Sequence, residues 1–216
     1  MDVVWANRQL LWQGLQYTFR LFAVVIVLGT GAGTLLGVGL LYGGWTLRVP
    51  IRAYVDIIRG IPLIVTIFLL FYLPVAYGVN LSPFQSISAA LSIFAAAHMA
   101  EIVRGALGSV ARGQVDAAKS LGLTFWPRLF SVLLPQAVPL MIGPWTNLAV
   151  DMFKGTSLAI LVSQADFLFS IQKRATAKGH YLAFYLAAMA VYFLCCLAIS
   201  RVGVWAARRA RVGAAT

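Results

Sequence analysis

Acidic residues are scarce in this chain: six Asp and Glu stand against 17 Lys and Arg in 216 residues, and charged side chains of both signs make up only 11%. That poverty of charge beside 61% apolar residues excludes an ordinary soluble domain. The two cysteines, Cys195 and Cys196, are adjacent inside an apolar run, which excludes a disulfide framework and a cysteine-based metal site. The two histidines, His98 and His180, lie far apart. No second ligand stands at metal spacing from His98 except Glu101, so His98 reads as a packed, hydrogen-bonded residue and no metal site is expected. A Gly-x-x-x-x-Gly-Lys-Ser/Thr phosphate loop is missing, so the chain is not expected to hydrolyse ATP by itself. The net charge of +11 forms no continuous stripe; its members punctuate apolar runs, which argues for cationic membrane loops over nucleic-acid binding.

What is present is long uncharged sequence. Residues 21–47 carry no charge and suffice to cross about 30 Å of hydrocarbon. A basic segment follows directly, as after a retained span and unlike a cleaved leader. Residues 60–100 are also uncharged, too long for one crossing, and interrupted by Gly78, Asn80, Ser82 and Pro83, which read as a turn. The expected fold is therefore an all-α membrane protein with five transmembrane helices at about 21–47, 61–77, 86–107, 129–150 and 180–200. Residues 1–20 are expected to form an interfacial segment. Residues 151–179 are read as an outer surface or re-entrant segment, because Asp166 sits in a short apolar run. A sixth crossing through that run would divide the basic residues almost as well.

Placing residues 48–59, 101–128 and 201–216 inside puts Arg48, Arg52, Arg59, Arg104, Arg112, Lys119, Arg128, Arg201, Arg208, Arg209 and Arg211 in the cytoplasm. The N-terminus is then outside and the C-terminus inside. Lys154, Lys173, Arg174 and Lys178 remain on the outer side, against the rule. Gly29, Gly31, Gly33, Gly37 and Gly39 in the first span would let another helix approach closely, without saying which. Trp5, Trp12, Trp45, Trp145 and Trp205 fall near expected interfaces, as in an aromatic belt, and Trp126 is placed to brace the entry to the fourth span.

The longest inner loop holds the most informative residues. The stretch ARGQVDAAKSLGL can form a short helix with Gln114, Ala117, Ala118 and Leu121 near one face, and Gly122 stops it. Small alanines allow docking in a partner's groove, with Asp116 and Lys119 setting register by charge. A solvated connector would have similar composition. Asp116, Ala117, Ala118, Gly122 and, nine residues on, Val132, Leu133, Leu134 and Pro135 resemble the EAA loop of bacterial ATP-binding-cassette importer permeases, with Asp for Glu and Val for Ile. GLQYTFRL near the start, YVDIIRGIPLIV, AEIVRGALGSVARGQ, LPQAVPLMIGPWTN and KGTSLA are similar to the polar amino-acid branch, of the histidine and glutamine type.

The resemblance implies a non-enzymatic permease subunit in a bacterial inner membrane. Its implied partners are a second identical or homologous permease, a cytoplasmic ATPase dimer carrying ATP and magnesium, an external solute-binding protein and the bilayer, with no nucleic acid. It implies a coupling loop over 112–135, with Gly113, Gln114, Asp116, Ala117, Ala118, Lys119 and Gly122 against the ATPase. The chain itself is expected to bind no cofactor and to hold no catalytic residue. A secondary transporter is the other reading, although five spans do not divide into equal repeats.

Acids near the membrane complete the candidates. Asp56 with Arg59, Glu101 with Arg104, and Asp151 with Lys154 stand three apart and can pair on one helical turn. Such groups are either structural ion pairs or a site for a zwitterion. In the second case the path residues are Glu101, Asn147, Asp151, Lys154, Thr156 and Ser157. Where the family usually has Lys-Asp-Thr-Ser-Leu, this chain has Gly155 in place of the acid, while Asp151 stands one turn earlier.

Overall fold

The structure is a computed structural model that describes residues 2–213, with side chains over 4–210; Arg211, counted above among the inner cations, has its side chain outside that range. After a short α1 (Asp2–Ala6), α2 runs unbroken from Arg8 to Tyr42. Residues 8–20 are therefore continuous in one helix with the first span. No proline interrupts GLQYTFRLF, so nothing stops the helix from propagating. At 35 residues α2 is about 52 Å long, well beyond the hydrocarbon.

The glycines of α2 find their partner in α5 (Pro83–Gly108). A Cβ on Gly29 would stand 2.6 Å from Ala95 Cβ, one on Gly33 2.5 Å from Met99 Cβ, and one on Gly37 2.6 Å from the Ala100 carbonyl oxygen. Four residues on one helix match four on the other in the same direction, so α2 and α5 are parallel. Gly31 faces open space, which confines the seam to the i, i+4 stripe. Ser82 and Gln85 form a capping box at the start of α5, with Pro83 in its first turn, and Gly78 takes φ +76° in the preceding turn.

Parallel neighbours require the chain to return between them. That return is made by α3 (Trp45–Gly60) and α4 (Leu63–Ala76), which meet at a bend of 109°. Gly60, Ile61 and Pro62 cause the break: proline lacks the N–H a helix needs, and Ile61 before it is held extended at φ −99°, ψ 136°. At 14 residues α4 is about 21 Å long, too short to cross alone. Four described helices are long and apolar enough to span a membrane, and the bent pair, taken as one broken span, brings the number to five. The span expected at 61–77 coincides with α4, which the bend joins to the charged helix α3. The basic stop-transfer segment is itself helical, burying Ile51 and Val55, with Arg48, Asp56 and Arg59 exposed and Arg52 partly buried.

Beyond α5 come α6 (Arg112–Ser120) and α7 (Phe125–Arg128), then a π turn at Leu129–Leu133 leading into α8 (Leu134–Gly155). The wider turn lies just ahead of Pro135, whose ring would clash with a carbonyl in a regular α-helix. α8 is antiparallel to α2. The Trp145 indole donates to Thr30 Oγ1 at 2.9 Å, and Phe153 meets Phe22 edge-on at 5.3 Å. Trp145 is therefore tied into the bundle and is not a belt residue.

A 3-10 turn (Thr156–Val162), α9 (Phe167–Lys178) and α10 (Tyr181–Gly213) complete the chain. α10 runs back along α8, with Tyr192 near Phe153 and Gly203 against Thr146. The core joins Leu21, Val25, Ile87, Leu91, Met99 and Leu133, while a second cluster of Leu11, Phe167, Ile171 and Phe184 closes the end where α2 begins.

Candidate coupling helix and membrane pathway

α6 sits at the bundle end where α5 finishes and α8 starts. Gly122 at φ +75° stops it, with the Leu123 N–H donating to the Ala118 carbonyl at 3.1 Å and the Gly122 N–H to that of Lys119 at 2.8 Å. Asp116 and Lys119 are largely exposed and 3.6 Å apart. Gly113, Gln114 and Ala117 are exposed as well. Ala118 departs from the face assigned to it: it is 3% exposed and, with Val115, turns toward the body of the chain. The outward face is instead extended by Leu121, 80% exposed, and by the exposed ring pair Trp126 and Phe130, stacked at 6.0 Å. Bracing falls to Phe125, edge-on to Tyr42 at 5.3 Å, and not to Trp126. Sequence reasoning placed Leu121 on the docking face but missed Phe130 and the outward turn of Trp126, although three large apolar residues around a turn were a visible signal.

Glu101 lies about 10 Å before the end of α5. One carboxylate oxygen accepts from Arg52 Nη1 at 2.7 Å, the other from Arg104 Nη2 at 2.7 Å and Nε at 3.0 Å. Asp56 turns to Arg52, 3.7 Å away and one turn back, and not to Arg59 as its spacing had suggested. Arg52 thereby joins α3 to α5. The Tyr54 hydroxyl adds a second tie, donating to the Ile93 carbonyl at 2.6 Å. His98 is packed as expected, 3.0 Å from the Phe94 carbonyl and against the Phe94 ring.

Of the remaining path candidates, Asn147, Asp151 and Lys154 stand at i, i+4 and i+7 on one exposed face of α8. Asp151 and Lys154 pair at 3.2 Å. Ser157 continues the row, its hydroxyl donating to the Lys154 carbonyl at 2.7 Å, and with Lys154 it borders a pocket of about 290 Å³ under Tyr185 and Tyr192. A stripe carrying both charges within a spanning helix is expensive against lipid and belongs beside protein or water. Thr156 lies apart: fully buried, it donates to the Phe153 carbonyl at 2.6 Å. Glu101 belongs to the other cluster.

Comparison with known proteins decides the family. The family described as "Binding-protein-dependent transport system inner membrane component" matches residues 25–212. The chain belongs to that family. It is 33% identical over 190 residues to the L-cystine transport system permease protein TcyB of Bacillus subtilis, covering 88% of this chain and 81% of the relative. It is 30% identical over 196 residues to the glutamine transport system permease protein GlnP of Escherichia coli K12, covering 89% of each. Among solved structures, an amino acid ABC transporter crystallised with histidines superposes with a TM-score of 0.87 at 26% identity, over 94% of this chain and 95% of that one. The methionine transporter MetNI, at 22% identity and a TM-score of 0.77, shares the fold. The permease is thus a multi-pass membrane component of a binding-protein-dependent importer, working with ATPase and binding-protein partners. The secondary-transporter reading finds no support among these relatives.

Proposed function

We propose that the permease is one of two membrane subunits, identical or homologous, of an ATP-driven importer for polar amino acids in a bacterial cytoplasmic membrane, with α6 on the cytoplasmic side. ATP and magnesium belong to a separate ATPase dimer, and an external binding protein delivers the solute. The observation that carries the reading is the shape of α6: a short capped rod on its own three-residue tether, showing a partner the Asp116–Lys119 pair and the apolar group Leu121, Trp126 and Phe130. Docking there lets ATPase closure push on α5 directly, since only residues 109–111 intervene. The cations at that end of the bundle support its cytoplasmic placement.

On the substrate side, the exposed face of α8 offers a zwitterion complementary groups: the Asp151 carboxylate for an ammonium, Lys154 for a carboxylate, and Asn147 and Ser157 for hydrogen bonds. Glu101, already held by two arginines, serves as a latch between α3 and α5. The relatives named for glutamine and cystine support an amino-acid cargo. Uptake by the reconstituted importer tests the docking: Asp116→Lys and Gly122→Pro are expected to abolish transport while the permease still inserts, and wild-type uptake in both would refute it. Asp151→Asn is expected to raise the KM for uptake about tenfold with ATPase co-purification unchanged.

A further inference from the structure

In the orientation proposed above, Lys173, Arg174 and Lys178 violate the usual bias of cations toward the cytoplasm, and the fold gathers two of them with Arg20. A cleft of about 400 Å³ opens between the first turns of α2 and α9, with Gln13, Tyr17 and Arg20 on one wall and Ser170, Lys173 and Arg174 on the other. No acidic side chain lines it. None of its three cations has a carboxylate within 4 Å among the described residues. The neighbouring acid, Asp166, is fully buried with its oxygens turned to the Leu168 and Phe169 N–H groups.

Height along α2 narrows the choice of occupant. The uncharged part of α2, residues 21–42, is about 33 Å long, so Arg20 marks the edge of the hydrocarbon. α9 climbs away from that edge. The Phe167 N–H donates to Thr18 Oγ1 at 3.2 Å, and Ile171 clusters with Leu11. Lys173 and Arg174 therefore stand level with about residues 10–13, on the order of 12 Å beyond Arg20. The headgroup layer is only about 5–8 Å deep on each side. A lipid phosphate reaches Arg20 but falls short of the pair, whereas an acidic projection arriving from water passes the pair first and Arg20 last. The Arg174 and Arg20 guanidiniums can each take a carboxylate as a fork, and Gln13 and Ser170 supply further hydrogen-bond partners.

We propose that this cleft is where an acidic projection of the external binding protein docks on the permease, with Lys173 and Arg174 as its first contacts and Arg20 at its floor. The claim rests on the outward orientation of α9. Steering by uncompensated cations accelerates encounter and makes it salt-dependent.

The test uses the importer in proteoliposomes, with uptake measured against the concentration of the external binding protein that supports it. Replacing Lys173→Gln with Arg174→Gln is expected to raise the half-saturating concentration about tenfold at low salt, flatten its salt dependence and leave the maximal rate within about twofold. Lys173→Glu is expected to shift it further, with recovery when an acidic surface residue of the binding protein is changed to Lys. An unchanged half-saturation overturns the docking site, as does a defect that depends only on replacing phosphatidylglycerol by phosphatidylcholine. Labelling of Lys173→Cys by an impermeant maleimide, against the wild-type background of Cys195 and Cys196, separates the two failures. Access only from the α6 side overturns the orientation as well; access from the opposite side with unchanged half-saturation overturns docking alone.

Discussion

The α2–α5 seam and the elements hung on it are held by different physics. Along the seam, three glycines bring backbone against backbone and the fit is one of shape, repeated every four residues. α3 and α9 pack through small apolar clusters and add a few polar ties: Arg52 to Glu101 and Tyr54 to Ile93 for one, Thr18 to the Phe167 N–H for the other. Shape complementarity in lipid is stiff and unswitchable, while isolated polar ties can be exchanged one at a time. The seam is the frame, and the attached helices are where movement has somewhere to go.

The sharpest way to break that contrast is to fill the seam. Gly33→Leu places a side chain into Met99 and the Ala96 carbonyl, with an expected cost above about 3 kcal/mol and loss of monodisperse protein in detergent, whereas Gly31→Leu, facing open space, is expected to behave as wild type. Thermal melting of both variants checks this pair.

Asp166 probes the attachment of α9. Burial lifts its carboxyl to about 6 from 3.8, against the opposing pull of the backbone N–H groups it caps. The folded form therefore binds the proton more tightly than the unfolded one. Stability falls as pH rises through the window from about 4 to 6 and is flat above it, by about 3 kcal/mol in all. Asp166→Asn keeps a capping oxygen and is expected to abolish that slope, read as Tm against pH.

Smaller effects test the α3–α5 contact at Glu101 and the seam's start. Glu101→Gln weakens both arginine contacts; because Arg52 and Arg104 are more than a third exposed, the expected loss is only about 1–2 kcal/mol and shrinks with salt. Ser82→Ala removes the cap of α5 at an expected cost of about 1 kcal/mol. A result in which Ser82→Ala outweighed Gly33→Leu would overturn the assignment of the seam as frame.

How far the sequence revealed this differs by element. The glycine spacing on α2 announced a close partner, but its identity depended on Ala95, Met99 and Val103 presenting the complementary row, and that match exists only after both helices form. α3 hid behind its charges: Arg48, Arg52, Asp56 and Arg59 made it look like a loop, although Ile51 and Val55 were already one turn apart on a single face. The coupling loop was legible because Gly122 and the small residues leave a local signature. The inward turn of Ala118 was not, since it depends on where α7 and α8 return. Asp166 was weighed as evidence against a span, and its position three residues before Phe169, typical of a helix cap, went unread.

The register of the seam limits what any stroke can do. Because Ala95, Met99 and Val103 each sit in a notch on α2, a small slide would drive a side chain into bare backbone, and the next vacant notch is four residues, about 6 Å, farther on. The two rods must therefore tilt or rotate together as a single beam, so a push delivered at one face of the membrane reaches the other undiminished by slippage.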